Sequence, residues 1–455
     1  MAKQVDLLNG SILRSLTVLA LPIMGSQLVQ MAYNLTDMLW IGRISANAVA
    51  AVGAAGMFMW LSNGLAVLAR IGGQVTVAQS IGAGDMPKAG RYGAAALQLS
   101  GTLAAVYTLA MIFGAAPLIG FFKLNSPQVE ADARAYLIIV SAGMVFSFVN
   151  QVLVAIINAT GNSRTPFLAM GGGLGINILL DPLLIFGVGP LPQWGVAGAA
   201  VATVLAQGVV FALLVRFAMQ DQTLFCWVKL TRPATRQELK SIVRISGPAA
   251  AMNVFFPLIG MVIARLVAHW GDSAVAVQKV GSQIESISWM TADGFAAALN
   301  SFVAQNYGAG NLDRAKRGVW TAFGLMTLWG ILCSALLIFF AEPIFRVFIP
   351  DAQVLPMGAD YLIILGYSEL FMCWEILIEG AYAGFGNTLP ASAVGTVFTG
   401  LRIPAAILLS ATALGLSGVW WSISVSSIFK GVILTVMFLF FVRRLSAAAK
   451  GDKKA

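Results

Sequence analysis

The sequence predicts an all-α integral membrane protein with twelve transmembrane helices in two six-helix bundles. Three observations predict this fold class. Of the 455 residues, 58% are hydrophobic and 10% are charged, whereas a soluble domain carries roughly 25% charged residues. Apolar stretches that match a membrane-spanning helix, which takes ~20 residues, recur along the whole chain. Motifs of the first half return in the second half, which indicates an internal duplication.

Twelve apolar stretches reach spanning length. They lie at 15–41, 48–72, 93–121, 135–158, 167–187, 195–217, 242–267, 274–300, 319–345, 357–384, 391–413 and 417–442. Turns rich in glycine or asparagine separate several of them, at 82–85, 161–163, 187–192, 308–311 and 386–387. The first stretch continues past Leu28 without a small-residue cleavage site, so we expect a first span and not a removable signal peptide.

The basic residues predict the orientation. If the N-terminus is cytoplasmic, the connections on that side and the C-terminus hold sixteen Lys and Arg residues, against four on the opposite side. The sixteen are Lys88, Arg91, Arg164, Lys229, Arg232, Arg236, Lys240, Arg244, Arg314, Lys316, Arg317, Arg443, Arg444, Lys450, Lys453 and Lys454, and the four are Arg43, Lys123, Arg134 and Arg346. The positive-inside rule therefore predicts a multi-pass protein of the inner (plasma) membrane with both termini cytoplasmic.

The duplication is clearest in two short motifs. Val-Ala-Gln at 77–79 and Gly-Ala-Gly at 82–84 return at 303–305 and 308–310, a shift of 226 residues. Over 77–91, eight of fifteen positions are identical in the second copy, where chance gives roughly one.

The two copies predict the domain limits. Residues 1–221 form an N-terminal six-helix bundle, 222–240 a cytoplasmic linker, and 241–455 a C-terminal six-helix bundle. Six spans per half is an even number, so both halves enter the membrane from the same side and are related by a pseudo-two-fold axis along the membrane normal. This architecture predicts alternating access around a substrate held near the midplane.

Carboxylates inside predicted spans are the main functional candidates, because an ionised group at the bilayer centre costs ~2.5 kcal/mol or more. Asp37 lies one turn after Tyr33 in span one, and Asp181 lies one turn after Asn177 in span five, on the same helix face. Thr203 adds a hydroxyl from span six. Such oxygens suit a small cation, and buried, mutually repelling carboxylates can also take up and release a proton.

Each aspartate also has a structural interpretation. Trp40 and Arg43 follow Asp37 closely, as they would at the interfacial end of a span. Pro182 and a glycine-rich turn follow Asp181, as they would at an outer end. The combination of two carboxylates, an amide and a hydroxyl in one bundle favours the functional interpretation.

The second half carries its own ionisable residues within predicted spans. They are Glu285 and Asp293 in span eight and Glu369, Glu375 and Glu379 in span ten. Lys279 could pair with Glu285, and Arg402 could neutralise a span-ten glutamate, both in structural roles. We count as supporting site residues Tyr33, Asn34 and Gln151 of the first half and Glu285, Glu375 and Glu379 of the second.

Other classes of chemistry lack their motifs. Cys226, Cys333 and Cys373 lie far apart without CxxC spacing, and His269 is the single histidine. No GxxxxGK[ST] phosphate loop occurs in the sequence. The net charge of +9 comes from scattered residues and forms no basic patch with interleaved aromatics. We therefore expect no enzyme activity, no cofactor, no metal beyond Na⁺ and no nucleic-acid partner.

Four segments together resemble the multidrug and toxic compound extrusion (MATE) transporters, especially their DinF-like branch. They are Asn-Leu-Thr-Asp ending at Asp37 after the span-one Pro22, the paired Ala-Gln and Gly-Ala-Gly connections, Asn-Ile-Leu-Leu-Asp-Pro at 177–182, and Gly-Val-Ala-Gly-Ala-Ala-Val-Ala-Thr ending at Thr203. The resemblance covers essentially the whole chain.

The resemblance implies roles for individual residues. Asp37, Asn177, Asp181 and Thr203 would form a cation site of the N-terminal bundle, loaded by H⁺ or, less favoured, Na⁺. Pro22 would bend span one as the site is loaded. The NorM-like branch places carboxylates for Na⁺ in spans seven and ten. Here span seven has none and Glu375 lies near, but not on, the span-ten position, which favours proton coupling through the first half.

The resemblance implies a secondary active antiporter that expels amphipathic or cationic small molecules in exchange for H⁺ or Na⁺, acting as a monomer in the lipid bilayer. The first alternative is a flippase or exporter of a lipid-linked or other specific metabolite. It would need several basic residues in the cleft, where the first half offers Arg70 at most. A multi-pass enzyme lacks a nucleophile with a paired base, and a passive channel lacks a filter-like re-entrant sequence.

Overall fold

The computed structural model describes residues 5–122, 126–187 and 192–451, which form α-helices and contain no strand. The first half contains α1 (Ile12–Gly42), α2 (Ala46–Gly82), α3 (Met86–Gly120), α4 (Pro127–Ala142), α5 (Met144–Ala159), α6 (Arg164–Phe186) and α7 (Gly195–Gln220). The second half contains α8 (Arg236–Val267), α9 (Asp272–Gly308), α10 (Leu312–Phe339), α11 (Ala341–Phe348), α12 (Leu355–Gly366), α13 (Glu369–Gly384), α14 (Leu389–Gly400), α15 (Arg402–Ser410) and α16 (Leu416–Gly451). Short 3-10 helices lie at Phe225–Trp227 and Ala268–Trp270.

The described segments contain nine helical stretches that are long and apolar enough to cross a membrane, with α14 and α15 together forming one of them. Two further spans are broken: α4 and α5 meet at a bend of 46°, and α12 and α13 at a bend of 47°. The remaining predicted span is α9, which has 37 residues but is made more polar by side chains such as Lys279, Glu285 and Asp293. The all-α membrane fold is confirmed, and the helices are consistent with twelve spans.

Some sequence features fall beyond the described residues. They are most of the turn predicted at 187–192 and the basic residues Lys123, Lys453 and Lys454.

The break between α4 and α5 has a packing reason. Gly143 lies between the last residue of α4 and the first residue of α5. A Cβ atom at Gly143 would lie 2.5 Å from a methyl group of Val204 on α7. The missing side chain therefore lets the broken span pack directly against α7.

The repeated Gly-Ala-Gly motifs form the same turn in both halves. Gly84 and Gly310 have φ angles of +75° and +73°, a left-handed conformation that favours glycine. The N–H of Ala83 donates to the carbonyl of Gln79 at 3.0 Å, and the N–H of Ala309 makes the corresponding bond at 2.9 Å. The duplication seen in the sequence is thus also a duplication of backbone geometry.

Contacts divide the chain into two compact units. Unit 1 comprises Met1–Asp6 and Gly25–Ala250, and unit 2 comprises Leu7–Met24 and Ala251–Ala455. These limits differ from a division at 221 and 241, because the start of α1 packs with unit 2 and the start of α8 with unit 1. The predicted domain limits rest on the pairing of spans and stay a prediction.

The polar connection before α8 is ordered against α3 within unit 1. Gln98 donates from Nε2 to the carbonyls of Leu230 at 2.8 Å and Arg232 at 2.7 Å. Its Oε1 accepts from the N–H of Ala234 at 2.8 Å. One glutamine side chain therefore binds the backbone of three residues of the predicted linker.

Candidate functional site

Two aspartates of unit 1 form the centre of the candidate site. Asp181 lies on α6 and is fully buried, as is Asn177 one turn before it. The Nδ2 of Asn177 donates to Oδ1 of Asp181 at 3.1 Å. Asp37, on α1, is partly buried and faces both Asp181 and Asn177. The helical spacing of four residues thus places Asn177 beside Asp181, and the tertiary structure adds the carboxylate of Asp37 from α1.

Helix α7 supplies the hydroxyl. Oγ1 of Thr203 lies 3.3 Å from Oδ2 of Asp37 and 3.0 Å from the carbonyl of Ala199, so it can donate to either. The phenol of Tyr33 donates to the carbonyl of Thr203 at 3.4 Å. Gly198 also lets α7 pack closely against α6, because a Cβ there would overlap the backbone of Leu184.

Three oxygen atoms of the site have unused acceptor capacity. Within the described segments, Oδ1 of Asp37, Oδ1 of Asn177 and Oδ2 of Asp181 are buried and have no hydrogen-bond partner. Two ionised carboxylates can only accept, so they cannot hydrogen-bond to each other. A proton shared between them, or a small cation, would satisfy these oxygens and remove their repulsion. The residues present therefore fit a bound proton or an oxygen-liganded cation.

Tyr136 is a further residue of the site. It lies on α4, is 3% exposed, and faces Asp37, Asp181 and Thr203. A lone tyrosine near the start of a predicted span is typical of a membrane interface, so the sequence carries no signal for this role. Tyr33 is likewise buried and faces the same two carboxylates.

Three other predicted residues lie elsewhere. Asn34 is exposed and accepts from Nε2 of Gln30 at 3.4 Å. Gln151 donates to Oδ1 of Asn63 at 3.0 Å. The structure therefore does not bring Asn34 or Gln151 to the carboxylates. Pro22 lies inside α1, which continues to Gly42, and its bending role stays a prediction.

The ionisable residues of the second half make a separate cluster in unit 2. Oε1 of Glu375 and Nζ of Lys430, on α16, form an ion pair at 2.6 Å. Lys430 lies within the last predicted span, so the rule that singles out intramembrane carboxylates also identifies it. Glu379 lies one turn after Glu375, and its Oε1 is buried without a hydrogen-bond partner in the described part of the chain.

Of the two structural pairings expected in this half, that of Lys279 with Glu285 is not found, and that of Arg402 with a span-ten glutamate is found only as a longer-range charge interaction. Lys279 is exposed, and the cations that act on Glu285 are Arg402 and Lys430. Arg402 donates to the hydroxyls of Ser426 at 2.6 Å and Ser427 at 3.0 Å. Lys430 is therefore the direct ion-pair partner of Glu375, because α16 packs against α13, while Arg402 acts on Glu375 at longer range.

Comparison with known proteins identifies the family. The family model MatE matches residues 22–183 and 248–408. The chain belongs to the MatE family. The two matched segments begin 226 residues apart, which is the shift of the repeated motifs. The MatE match thus confirms both the predicted family and the duplication, and it identifies the chain as a membrane transporter and not an enzyme.

Curated relatives cover most of the chain. "Probable multidrug resistance protein NorM" of Thermotoga maritima is 28% identical over 433 residues, which is 94% of this chain and 92% of the relative. "FAD transporter" of Shewanella oneidensis is 30% identical over 368 residues, which is 79% of each chain. The names associate MatE relatives with both drug resistance and the transport of a metabolite.

Solved structures share the fold. An outward-facing multidrug resistance MATE family transporter of the MOP superfamily is 23% identical, with a TM-score of 0.89 over 98% of this chain and 99% of its own. A MOP superfamily transporter from Pyrococcus furiosus is 24% identical, with a TM-score of 0.90 over 98% of this chain and 99% of its own. These similarities confirm the architecture, while the assignment to the DinF-like branch stays a prediction.

Proposed function

We propose that this MatE family member is a multidrug efflux antiporter that exports amphipathic or cationic compounds in exchange for protons at the Asp37–Asp181 site. The observation that carries the proposal is the facing pair of aspartates with unsatisfied buried oxygens. The multidrug resistance name of the Thermotoga maritima relative supports the substrate class.

The site has the properties that a coupling site needs. Two neighbouring carboxylates in an apolar bundle repel each other, and a single proton removes much of that repulsion. The charge of the site therefore changes by one unit when the proton leaves. The deprotonated site then needs contact with water or a cation more than the protonated site does. A transporter can use that difference to favour different conformations.

The membrane, the orientation and the oligomeric state are also part of what we propose. We place the protein in the inner (plasma) membrane with both termini cytoplasmic, on the distribution of basic residues, and we expect a monomer. Exchange would follow alternating access, as expected for a duplicated transporter fold.

The test uses purified protein in proteoliposomes with a fluorescent cationic dye. A pH gradient and a Na⁺ gradient are imposed separately, because the same oxygen atoms suit Na⁺. We expect the pH gradient alone to drive dye transport, and we expect Asp37→Asn and Asp181→Asn each to lower the initial rate at least tenfold. The isosteric amides keep the shape but remove the ionisable group.

The matched control is Asp360→Asn, at an exposed carboxylate of α12, which should keep the wild-type rate. Full pH-driven transport by Asp37→Asn would rule out the proposed coupling site. Transport driven by Na⁺ and not by pH would keep the site but change the ion.

A second candidate is export of a specific metabolite, which the relative named FAD transporter favours. The same proteoliposomes distinguish multidrug efflux from export of a specific metabolite. Transport of FAD, with no transport of cationic dyes, would make the protein a metabolite exporter. Accumulation of a lipid-linked precursor in a deletion strain with unchanged drug sensitivity would instead indicate a flippase.

A further inference from the structure

Among the described residues of unit 2, the ion pair between Glu375 and Lys430 is the most deeply buried. The side chains are 9% and 4% exposed, and Oε1 lies 2.6 Å from Nζ. Gly431 follows Lys430 directly, and a Cβ there would lie 2.8 Å from the carbonyl carbon of Phe371 on α13. The absence of a side chain at Gly431 therefore brings the lysine close to α13.

Charged groups from three further directions face this pair. Glu379 lies one turn on along α13 and interacts with both Glu375 and Lys430. Glu285 of α9 and Arg402 of α15 also face the pair. Asp293, also on α9, faces Glu379.

The guanidinium of Arg402 is already held by the hydroxyls of Ser426 and Ser427 on α16, one turn before Lys430. Lys430 is therefore the cation in direct contact with a carboxylate in this cluster, within the described residues.

A carboxylate buried among apolar helices needs a positive partner or a proton, because an isolated charge is poorly solvated there. A mobile partner, such as a proton or a monovalent metal ion, can leave and thereby couple to transport. A lysine on a neighbouring helix supplies the same charge but cannot leave. The close contact at Glu375 is made by such a lysine, Lys430.

We propose that Lys430 is a tethered counter-cation, whose ammonium group occupies the position at Glu375 that a proton or monovalent cation would otherwise take. Glu375 is then a structural carboxylate and not a coupling residue. The inference rests on the proposed function, since it assigns ion coupling to the Asp37–Asp181 site and explains why Glu375 adds none.

The first test replaces Lys430 in a protein whose Asp37–Asp181 site can no longer ionise. Full-length protein carrying Asp37→Asn and Asp181→Asn is compared with the same protein carrying Lys430→Met in addition. Thermal stability is measured in NaCl against choline chloride, and at pH 8 against pH 6, with ²²Na⁺ binding in parallel. We expect the Lys430→Met protein to gain a stabilisation by Na⁺ or by protons that the background lacks, since Glu375 then needs a mobile cation.

Two matched variants show whether the gain arises at Glu375. Adding Glu375→Gln to the Lys430→Met protein should remove the gain. Lys279→Met, at an exposed lysine of α9, should produce none. A Lys430→Met protein that responds to neither Na⁺ nor pH, or a response that survives Glu375→Gln, would overturn the inference.

The second test does not depend on the folding of the single variant. Replacing a buried ion pair by uncharged residues of similar size is often neutral, whereas removing one partner is strongly destabilising. The double variant Glu375→Gln with Lys430→Met, in otherwise unchanged protein, should keep pH-driven dye transport within twofold of wild type. A folded double variant whose transport falls tenfold would show that Glu375 takes part in coupling.

The two proposals fail in different ways. If the proposed function is wrong, pH-driven transport survives Asp37→Asn. If the tethered-cation inference is wrong, the contradiction appears in the variants of Glu375 and Lys430.

Discussion

Asp37, Asp181 and Asp221 show how neighbours decide what a carboxylate in unit 1 can do. Asp221 follows the end of α7, outside the spans, and accepts from the N–H groups of Leu224 at 2.9 Å and Phe225 at 3.0 Å. The hydroxyl of Thr223 donates to it at 2.7 Å. Asp37 and Asp181 each keep a buried oxygen without such a donor in the described segments. Asp221 therefore organises a turn, while Asp37 and Asp181 keep the acceptor capacity that the proposed coupling site requires.

The pKa of Asp221 provides a test at the residue scale. Burial alone would raise this pKa, but the N–H donors of Phe225 and Leu224 and the Thr223 hydroxyl outweigh burial and lower it. A folded-state pKa below the unfolded value of about 3.9 means that the carboxylate stabilises the turn above that pH. The stabilisation is lost as the pH falls through the folded-state pKa.

We therefore expect Asp221→Ala to increase amide hydrogen exchange in residues 222–235 at neutral pH. The difference from wild type should shrink as the pH falls below about 4. Gln222→Ala, at the exposed neighbouring residue, is the matched control and should leave exchange unchanged. An effect of Asp221→Ala that does not depend on pH would contradict the role of the charge.

At the scale of elements, glycines decide how closely helices approach. In unit 2, a Cβ at Gly380 of α13 would lie 2.6 Å from the carbonyl oxygen of Ala296 on α9. A Cβ at Gly384, one turn on, would lie 2.9 Å from the carbonyl oxygen of Asn300. Small residues at such spacing let the backbones of membrane helices pack in direct contact. The same contact holds α13 in place while its glutamates face the cluster around Lys430.

We expect Gly380→Val to destabilise the protein, because the new side chain would force α9 and α13 apart at a cost of about 1–3 kcal/mol. The measurement is the melting temperature of the detergent-purified protein, which should fall by several degrees. Gly324→Val on α10 is the control, since no atom lies within 4 Å of its added Cβ. Equal melting temperatures for the two variants would refute the packing role of Gly380.

At the scale of the whole molecule, the chain is a duplicated set of spans with an asymmetric distribution of basic residues. The MatE segments at 22–183 and 248–408 and the matching turns at Gly84 and Gly310 show the duplication. The orientation rests on the basic residues, most of which lie in connections that we assign to the cytoplasm.

Reporter fusions test this orientation. We expect green fluorescent protein fused to the C-terminus to fluoresce, because that terminus is assigned to the cytoplasm. Alkaline phosphatase, which is active only outside the cytoplasm, should be active when fused after Phe122 and inactive when fused after Pro233. The opposite pattern of phosphatase activity would invert the proposed orientation.

The sequence by itself determines which segments cross the membrane, the internal repeat and most of the candidate ionisable residues. It can do so because the bilayer excludes polar groups, so each departure from an apolar span is visible without knowledge of its neighbours. Helical periodicity also places Asn177 beside Asp181. These properties depend on one helix at a time.

Only the tertiary structure decides which helices are neighbours. It brings Thr203 to Asp37, adds Tyr136 to the same site and leaves Asn34 exposed outside it. It also pairs Glu375 with Lys430, although the two residues lie in different spans. The physical reason is that contacts between helices depend on the shapes of whole faces, set by small residues such as Gly198 and Gly431, and no periodicity within one helix encodes its partner.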